Sequence, residues 1–207
     1  MTILLTAFEP FGGDPRNPSQ DIGSAVVRAL RDGGQEVIYE VLPCAFQPAE
    51  ASLRKLIDTH TPQLVVSLGV AAGRKELTVE RVAVNLIDAR IPDNDGAQPI
   101  DEPVVLGAPA AYISRYPVKR AVQAAQENGT ACQVSYSAGT YVCNQVMYVA
   151  AHATAGTDTR TTFVHVPMPT ESEWDTDCQK WARGVIEIVR VGLDAAPDLK
   201  ISAGREY

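Results

Sequence analysis

Cys143 is a candidate nucleophile, because it lies where an apolar segment and a turn of small residues lead into a predicted helix. The first backbone N–H groups of a helix lack intrahelical partners and carry the positive end of the helix dipole, so this position favours a thiolate. A thiolate attacks carbonyl carbon, which is the chemistry of acyl transfer. Because free cysteine is also among the residue types most often buried, an inert packing residue is the alternative.

His165 is a candidate general base at the carboxyl end of a predicted strand, which Pro167 ends. An imidazole with its ordinary pKa of about 6.5 can take a thiol proton and later give it to a leaving amine. In an open α/β sheet, catalytic groups project from this edge. A histidine that merely packs within the strand is the alternative.

Glu80 is a candidate for the group that orients the imidazole. It stands alone among apolar neighbours in a predicted strand, and burying an unpaired carboxylate is costly. A carboxylate bonded to the imidazole would fix its tautomer and stabilise the imidazolium. Taken alone, the segment favours another role, an exposed ion pair with Arg81 or another surface cation.

The elements that would position these residues alternate between short apolar runs and amphipathic segments with helical spacing. Proline and glycine punctuate the boundaries between them. Strands are predicted over residues 2–7, 36–42, 64–69, 77–86, 131–136 and 160–166, and helices from a cap at Ser19 to a left-handed cap at Gly33 and over residues 48–60, 117–128 and 174–191, with a further helix at Cys143.

This alternation predicts an α/β fold, namely an open, mostly parallel twisted sheet with helices on both faces, in an α/β/α sandwich. The pattern does not determine the order of the strands. Within residues 77–86 the apolar alternation shifts between Val79 and Val82, which indicates a bulge or bend close to Glu80.

Length and composition narrow the class of protein. A chain of 207 residues fits one domain, residues 1–207, and its formal net charge of -7 disfavours a nucleic-acid surface. No apolar run reaches the roughly 18 residues of a membrane helix, so no membrane partner is expected. The four cysteines form no C-x-x-C pair, which disfavours a zinc ribbon and a disulfide scaffold. A reducing cytoplasm is the expected location, and no cofactor or metal is expected.

Six short blocks of the chain follow, in order, the motifs of one peptidase family. They span residues 6–13 with 17–19, 69–74, 80–85, 88–94, 138–144 with 147–148, and 163–167. These blocks resemble those of the pyrrolidone carboxyl peptidases, also called pyroglutamyl peptidases type I, which are cysteine peptidases. The resemblance covers nearly the whole chain apart from the C-terminal helix and tail.

The resemblance implies a catalytic triad of Cys143, His165 and Glu80. The implied reaction is hydrolysis of the peptide bond after an N-terminal pyroglutamyl residue, through a thioester, with such peptides as substrates. It also implies a homotetramer. Apolar side chains of residues 91–116 are the candidates for a subunit contact, although no periodicity supports this. The residues carried over to the pocket for the five-membered lactam are Phe8, Phe11, Val70, Arg90, Ile91 and Val142.

One block departs from the family pattern. Where the family usually has Gly-Gln-Ala-Gly-Gly-Arg, residues 69–74 carry Val70 in place of glutamine. Any contact from the glutamine side chain is therefore lost, and only a backbone contact at this position can persist. Backbone N–H groups of residues 142–144, with Arg90, are the expected donors to the oxyanion of the transition state.

Two other interpretations stay open from the residues. A nucleoside phosphorylase or related hydrolase would use the glycine-rich loop 69–74 and its Arg74 to cradle phosphate, although this signal is weak. A non-catalytic binding protein of the same fold would be compatible with the substitution at Val70. Loss of activity in a Cys143 variant separates the peptidase from both.

Overall fold

The computed structural model describes residues 1–194 and 196–204. Strands and helices alternate along most of this part of the chain, as the apolar periodicity predicts. The strands are β1 Thr2–Phe8, β2 Glu36–Leu42, β3 Leu64–Val70, β4 Leu77–Glu80, β5 Val82–Val84, β6 Ala111–Ile113, β7 Cys132–Ser135 and β8 Arg160–Val166. The α-helices are α1 Pro18–Asp32, α2 Phe46–His60, α3 Val118–Glu127, α4 Val142–Ala153 and α5 Trp174–Leu193.

Six strands form one open sheet in the order β2-β1-β3-β8-β4-β7. The strands pair in parallel except for β4 and β8, which are antiparallel. The predicted open, mostly parallel sheet with flanking helices is therefore confirmed. The exception matters for the site, because it sets Thr78 opposite His165 in the ladder. Glu80, two residues further along β4, shares the face of Thr78.

The sheet separates two layers of core. The layer on one side draws on α1, α3 and α5, and the other draws on α2 and α4. Along β8, Val164 belongs to the first layer and Phe163 to the second. Because side chains alternate between the faces of a strand, His165 points to the Phe163 side, where the two rings lie 4.8 Å apart. The imidazole therefore faces the layer that contains α4.

The predicted strand 77–86 is divided into two strands that belong to different sheets. β4 ends at Glu80, Arg81 lies between, and β5 pairs with β6 in a separate two-stranded sheet. The Arg81 N–H donates to Ser135 O, while its carbonyl accepts from Ser114 N, so the bend occurs where the chain changes sheets. The bend predicted close to Glu80 is confirmed.

At the ends of α1, one predicted cap residue and one predicted cap conformation are wrong. Asn17, not Ser19, caps α1, and its side chain accepts from Ser19 N at 3.0 Å. At the other end of α1, Gly33 is the cap residue, as predicted, but its φ is −79°, and Gly34 adopts the left-handed conformation with φ +82°.

The start of α2 depends on a residue that is distant in sequence. The helix begins at Phe46, two residues before the predicted start, and the Phe46 N–H donates to Asp93 Oδ2 at 2.8 Å. A carboxylate at a helix N-terminus satisfies a free N–H and interacts favourably with the dipole. Sequence periodicity does not reveal such a cap, because its partner lies 47 residues away.

Within the two described ranges, no helix has the length and apolar character needed to cross a membrane. The same ranges contain no group of three or more His, Cys, Asp or Glu side chains placed to hold a metal ion.

Candidate active site

Glu80 and His165 form a buried hydrogen-bonded pair. Glu80 Oε1 lies 2.8 Å from His165 Nδ1, and the two residues are 0% and 4% exposed. Burial by itself raises the pKa of Glu80, but the hydrogen bond to His165 and the charge of Arg74 help to hold it below its usual value. An ionised carboxylate only accepts, so the proton of the pair lies on Nδ1. The other ring nitrogen, Nε2, is then left to accept a proton.

The imidazole is neutral at rest. Burial lowers the pKa of His165 and outweighs the opposing effect of the Glu80 hydrogen bond and charge. The positive charge of Arg74 lowers the pKa of His165 further. A neutral imidazole with Nε2 unprotonated is the form that a general base requires.

Arg74 is a second partner of Glu80, and the sequence motifs did not single it out for this role. Its Nη1 donates to Glu80 Oε1 at 2.5 Å and also to Thr78 Oγ1, and its Nη2 donates to Ser137 O at 3.0 Å. The alternative of an exposed pair between Glu80 and Arg81 is wrong, since Arg81 bonds to Asp198 instead. These contacts also occupy the cation that a phosphate cradle at residues 69–74 would need.

Cys143 is the second residue of α4 and is half-buried. It lines a cavity of about 160 Å³ that His165 also lines, called here the Cys143 cavity. Gly69 leaves room for the thiol, because a Cβ at Gly69 would lie 2.8 Å from Cys143 Sγ. In the part of the chain that the structure describes, Sγ makes no hydrogen bond to His165. Catalytic hydrogen bonds often tighten only when substrate is bound.

The resting thiol is protonated, contrary to what its place at a helix start suggests. Burial raises the pKa of Cys143, and the negative charge of Glu80 raises it further. The charge of Arg74 and the hydrogen bond of the Cys143 backbone lower the pKa, but by less. Burial destabilises the thiolate more than the start of the helix stabilises it. Formation of the thiolate therefore requires a base next to the thiol.

The start of α4 is anchored to the neighbouring chain on both sides of the cysteine. The buried Asn144 side chain accepts from Val84 N at 3.0 Å and donates to Val84 O and Leu86 O. On the other side, Thr140 Oγ1 donates to Asp88 O at 2.8 Å. These bonds fix the backbone that carries the thiol.

Three of the six predicted substrate-binding residues line the Cys143 cavity, namely Phe8, Phe11 and Val70. Arg90, Ile91 and Val142 do not: Arg90 is exposed, Ile91 is half-buried and Val142 is fully buried in the core. Four further lining residues were not predicted as substrate contacts, and they are Asn17, Cys44, Ala138 and Tyr141. Asn17, Ala138 and Tyr141 lie within the sequence blocks that resemble the family, so membership of those blocks could have predicted them as lining residues. Cys44 lies outside the blocks.

Asn17 fixes one wall of the cavity. Its Oδ1 accepts from the N–H and the hydroxyl of Ser19, and its Nδ2 donates to Glu9 O at 3.0 Å. Ser19 Oγ in turn accepts from Phe8 N. The cap of α1 thereby fixes the backbone from which the Phe8 ring enters the cavity.

Tyr141 fixes another part of the cavity wall. Its hydroxyl donates to Pro92 O at 3.1 Å, and its ring meets Phe46 edge-on at 5.2 Å and lies 6.3 Å from Phe11. Burial raises the pKa of Tyr141 to about 12, so the hydroxyl stays protonated. The cavity is therefore apolar and aromatic, with few polar groups, which suits a flat uncharged ring.

A thiol at the start of a helix, beside an imidazole that a buried carboxylate orients, is the arrangement of a cysteine-type hydrolase, here carried by an open α/β sheet. Comparison with protein families narrows this class. Residues 1–196 match the family model described as pyroglutamyl peptidase, Peptidase_C15. The chain belongs to the pyroglutamyl peptidase family.

Individual relatives and solved structures agree with this assignment. The chain is 44% identical over 209 residues to the pyrrolidone-carboxylate peptidase of Clavibacter michiganensis, covering 98% of each protein. It is similar to the structure of pyrrolidone carboxyl peptidase from Thermococcus litoralis, with TM-score 0.88, 36% identity and coverage of 97% and 99%. The structure of pyroglutamyl peptidase I from Bacillus amyloliquefaciens matches with TM-score 0.86, 34% identity and the same coverage.

Proposed function

We propose that Cys143, His165 and Glu80 form the catalytic triad with which this chain carries out the reaction of its family. The chain is a pyroglutamyl peptidase, a cysteine-type hydrolase that removes an N-terminal pyroglutamyl residue from peptides. The observation that carries the assignment of roles is the Glu80–His165 hydrogen bond beside the cavity that Cys143 lines.

The first half of the reaction is acylation. His165 Nε2 takes the proton of the Cys143 thiol as Sγ attacks the exocyclic carbonyl carbon of the pyroglutamyl residue. The imidazolium, stabilised by Glu80, then gives this proton to the departing amine, and a thioester to Cys143 remains. Because proton transfer to His165 accompanies the attack, a thiol with a raised pKa can still react: the thiolate forms only as the bond to the carbonyl carbon forms.

The second half is hydrolysis. His165 removes a proton from water, the hydroxide attacks the thioester carbonyl, and the Cys143 sulfur leaves and regains a proton. Backbone N–H groups at residues 142–144 are proposed to stabilise the oxyanion in both halves.

The lactam ring is proposed to bind between the aromatic walls of the Cys143 cavity, against Phe8, Phe11 and the backbone at Val70. Apolar contact suits the ring, and a few polar groups fix its orientation. For Arg90, Ile91 and Val142, which do not line the cavity, the support for a role in binding is the family resemblance.

The test is release of aminomethylcoumarin from its pyroglutamyl amide under reducing conditions. The Cys143→Ala variant is expected to lose turnover. Cys178→Ala is the matched control, because Cys178 lies buried in α5 in the other core layer and should leave turnover intact. Equal turnover by wild type and Cys143→Ala would contradict the proposal.

The homotetramer, the cytoplasmic location and a single domain spanning residues 1–207 are part of the same proposal. Exposed apolar side chains support an assembly: Ile100, Leu106 and Ile113 are 62%, 89% and 65% exposed, and all lie within residues 91–116. Four free cysteines support a reducing compartment. Light scattering of wild type and Leu106→Glu should give a mass near four chains for the former and a smaller mass for the latter. A wild-type monomer would contradict the tetramer.

A further inference from the structure

We propose that Arg74 is a positioning residue of the active site: its guanidinium holds the Glu80 carboxylate against His165 and ties it to the turn that leads to Cys143. This role rests on the proposed function and extends it to a residue outside the triad. Arg74 does not line the Cys143 cavity, so it acts through other residues rather than on the substrate.

The two ends of the guanidinium contact both sides of the site. Nη1 reaches the carboxylate oxygen that His165 also uses, and Nη2 reaches Ser137 O. Ser137 lies between β7 and α4, and its Oγ accepts from Gly139 N at 3.2 Å. Because guanidinium is planar and rigid, these contacts set the carboxylate and the turn at a fixed separation.

The buried Glu80 carboxylate needs a cation beside it. Glu80 is fully buried, and within the part of the chain described here its Oε2 has no hydrogen-bond partner. A neutral imidazole alone compensates a buried carboxylate poorly. Arg74, whose side chain is only 26% exposed, supplies the opposite charge. Without it, protonation of Glu80 and rotation of its carboxyl group become less costly.

The same charge acts on both groups that exchange the proton. The charged groups that face both His165 and Cys143 are Glu80 from β4 and Arg74 from the β3–β4 loop. Cys143 also faces Cys44 from the β2–α2 connection, a thiol that stays neutral because burial raises its pKa to about 12. Arg74 is the cation in this set, and it favours the neutral imidazole and the thiolate. Loss of Arg74 should therefore raise the pKa of both the imidazole and the thiol, and move the acid and alkaline limbs of the pH–rate profile to higher pH. Loss of packing alone would move neither limb.

The experiment compares wild type with Arg74→Ala, Arg74→Lys and the matched control Arg81→Ala, which removes a neighbouring arginine that bonds to Asp198. For Arg74→Ala we expect kcat to fall by about 10- to 100-fold, with little change in KM. Both limbs should move up by about 0.5 to 1 pH unit. Arg74→Lys should retain the wild-type limbs while recovering only part of kcat, and added guanidinium at millimolar concentration should partly restore Arg74→Ala.

A second measurement does not depend on peptidase activity. Alkylation of Cys143 by iodoacetamide at fixed pH, followed by peptide mass spectrometry, reports the thiolate fraction. Below the pKa of the thiol, a shift of 0.5 to 1 unit lowers this rate by about 3- to 10-fold in Arg74→Ala.

These measurements test the role of Arg74 separately from the proposed catalytic triad. Slower alkylation in Arg74→Ala, with Arg81→Ala unchanged, supports the role of Arg74 whatever the substrate proves to be. The role of Arg74 would be overturned if Arg74→Ala kept the wild-type pH limbs and alkylation rate, or if it raised KM with unchanged kcat. In that case, loss of activity in Cys143→Ala would still support the proposed function.

Discussion

Cys143 Sγ occupies the space next to Gly69 that any larger residue would fill: a Cβ at Gly69 would lie 2.8 Å from that sulfur and 2.8 Å from the Phe163 ring. Gly69 is also the residue opposite His165 in the β3–β8 ladder. One glycine on β3 thus lets the α4 thiol approach the strand that carries the imidazole.

Gly69→Ala is expected to displace the thiol and to reduce kcat/KM by about 100-fold, because small displacements of reacting atoms cost on that order. The crowded Phe163 ring should also lower the free energy of unfolding, by about 1 to 3 kcal/mol. The measurements are turnover of a pyroglutamyl coumarin amide and urea unfolding. Gly73→Ala is the control, since nothing lies within 4 Å of a Cβ at Gly73. Equal kinetics for both variants would refute this role of Gly69.

Asp93→Ala is expected to weaken both the fold and the substrate site. Asp93 caps α2 through Phe46 N, and its other oxygen accepts from Asp95 N and Ala97 N. Losing the cap should cost about 1 to 2 kcal/mol in urea unfolding. KM should rise, because the loop that Asp93 organises holds the Tyr141 hydroxyl through Pro92 O.

The matched control for that loop is Asp95→Ala, which removes a charge from an exposed position two residues away. It should change neither the free energy of unfolding nor KM. If Asp93→Ala unfolds at the same urea concentration as this control, the long-range cap contributes nothing.

Prolyl amides are expected to be cleaved far more slowly than pyroglutamyl amides, with kcat/KM lower by at least about 100-fold. A prolyl residue lacks the ring carbonyl and brings a charged amine into the site. Among the described residues that line the Cys143 cavity, none is a carboxylate that would pair with this amine, and an unpaired charge in an apolar cavity is costly. Side-by-side kinetics of the two coumarin amides are the measurement, and comparable values would exclude this pocket.

Acid should destabilise the fold through His165. Its pKa is lowered in the folded state, chiefly by burial, so below the unfolded pKa of about 6.5 the unfolded chain takes up a proton that the folded chain does not. Stability therefore falls as pH drops from about 7.5 to 5.5. Glu80, whose folded pKa is also lowered, adds a loss at lower pH, as pH falls from its unfolded pKa through the folded value.

The free energy of unfolding in urea at pH 7.5, 6.5 and 5.5 measures this effect. In His165→Asn the decline over this range should be shallower than in wild type, whereas His60→Asn, at an exposed position, should follow wild type. If the free energy of unfolding falls equally with pH in wild type and His165→Asn, the imidazole has the same pKa in the folded and unfolded states.

Local pattern predicted most of the elements and their order. β2 and β8 have the predicted bounds, and the loss of alternation near Glu80 marked the point where the chain changes sheets. The helix caps were less well predicted. Asn17, two residues before the predicted Ser19, caps the start of α1, and the left-handed conformation predicted for Gly33 falls on Gly34. Such shifts are expected, since neighbouring polar and glycine residues compete for the same backbone groups.

The sequence by itself determined the class of fold and the residue types at its site, because apolar periodicity and family-like blocks are properties of short segments. Only the tertiary structure decided that β4 runs antiparallel to β8, that Arg74 rather than Arg81 meets Glu80, and that Asp93 caps α2. These are pairings across long stretches of chain. They follow from how whole layers pack and from which buried charges must find partners, and short-range spacing does not contain that information.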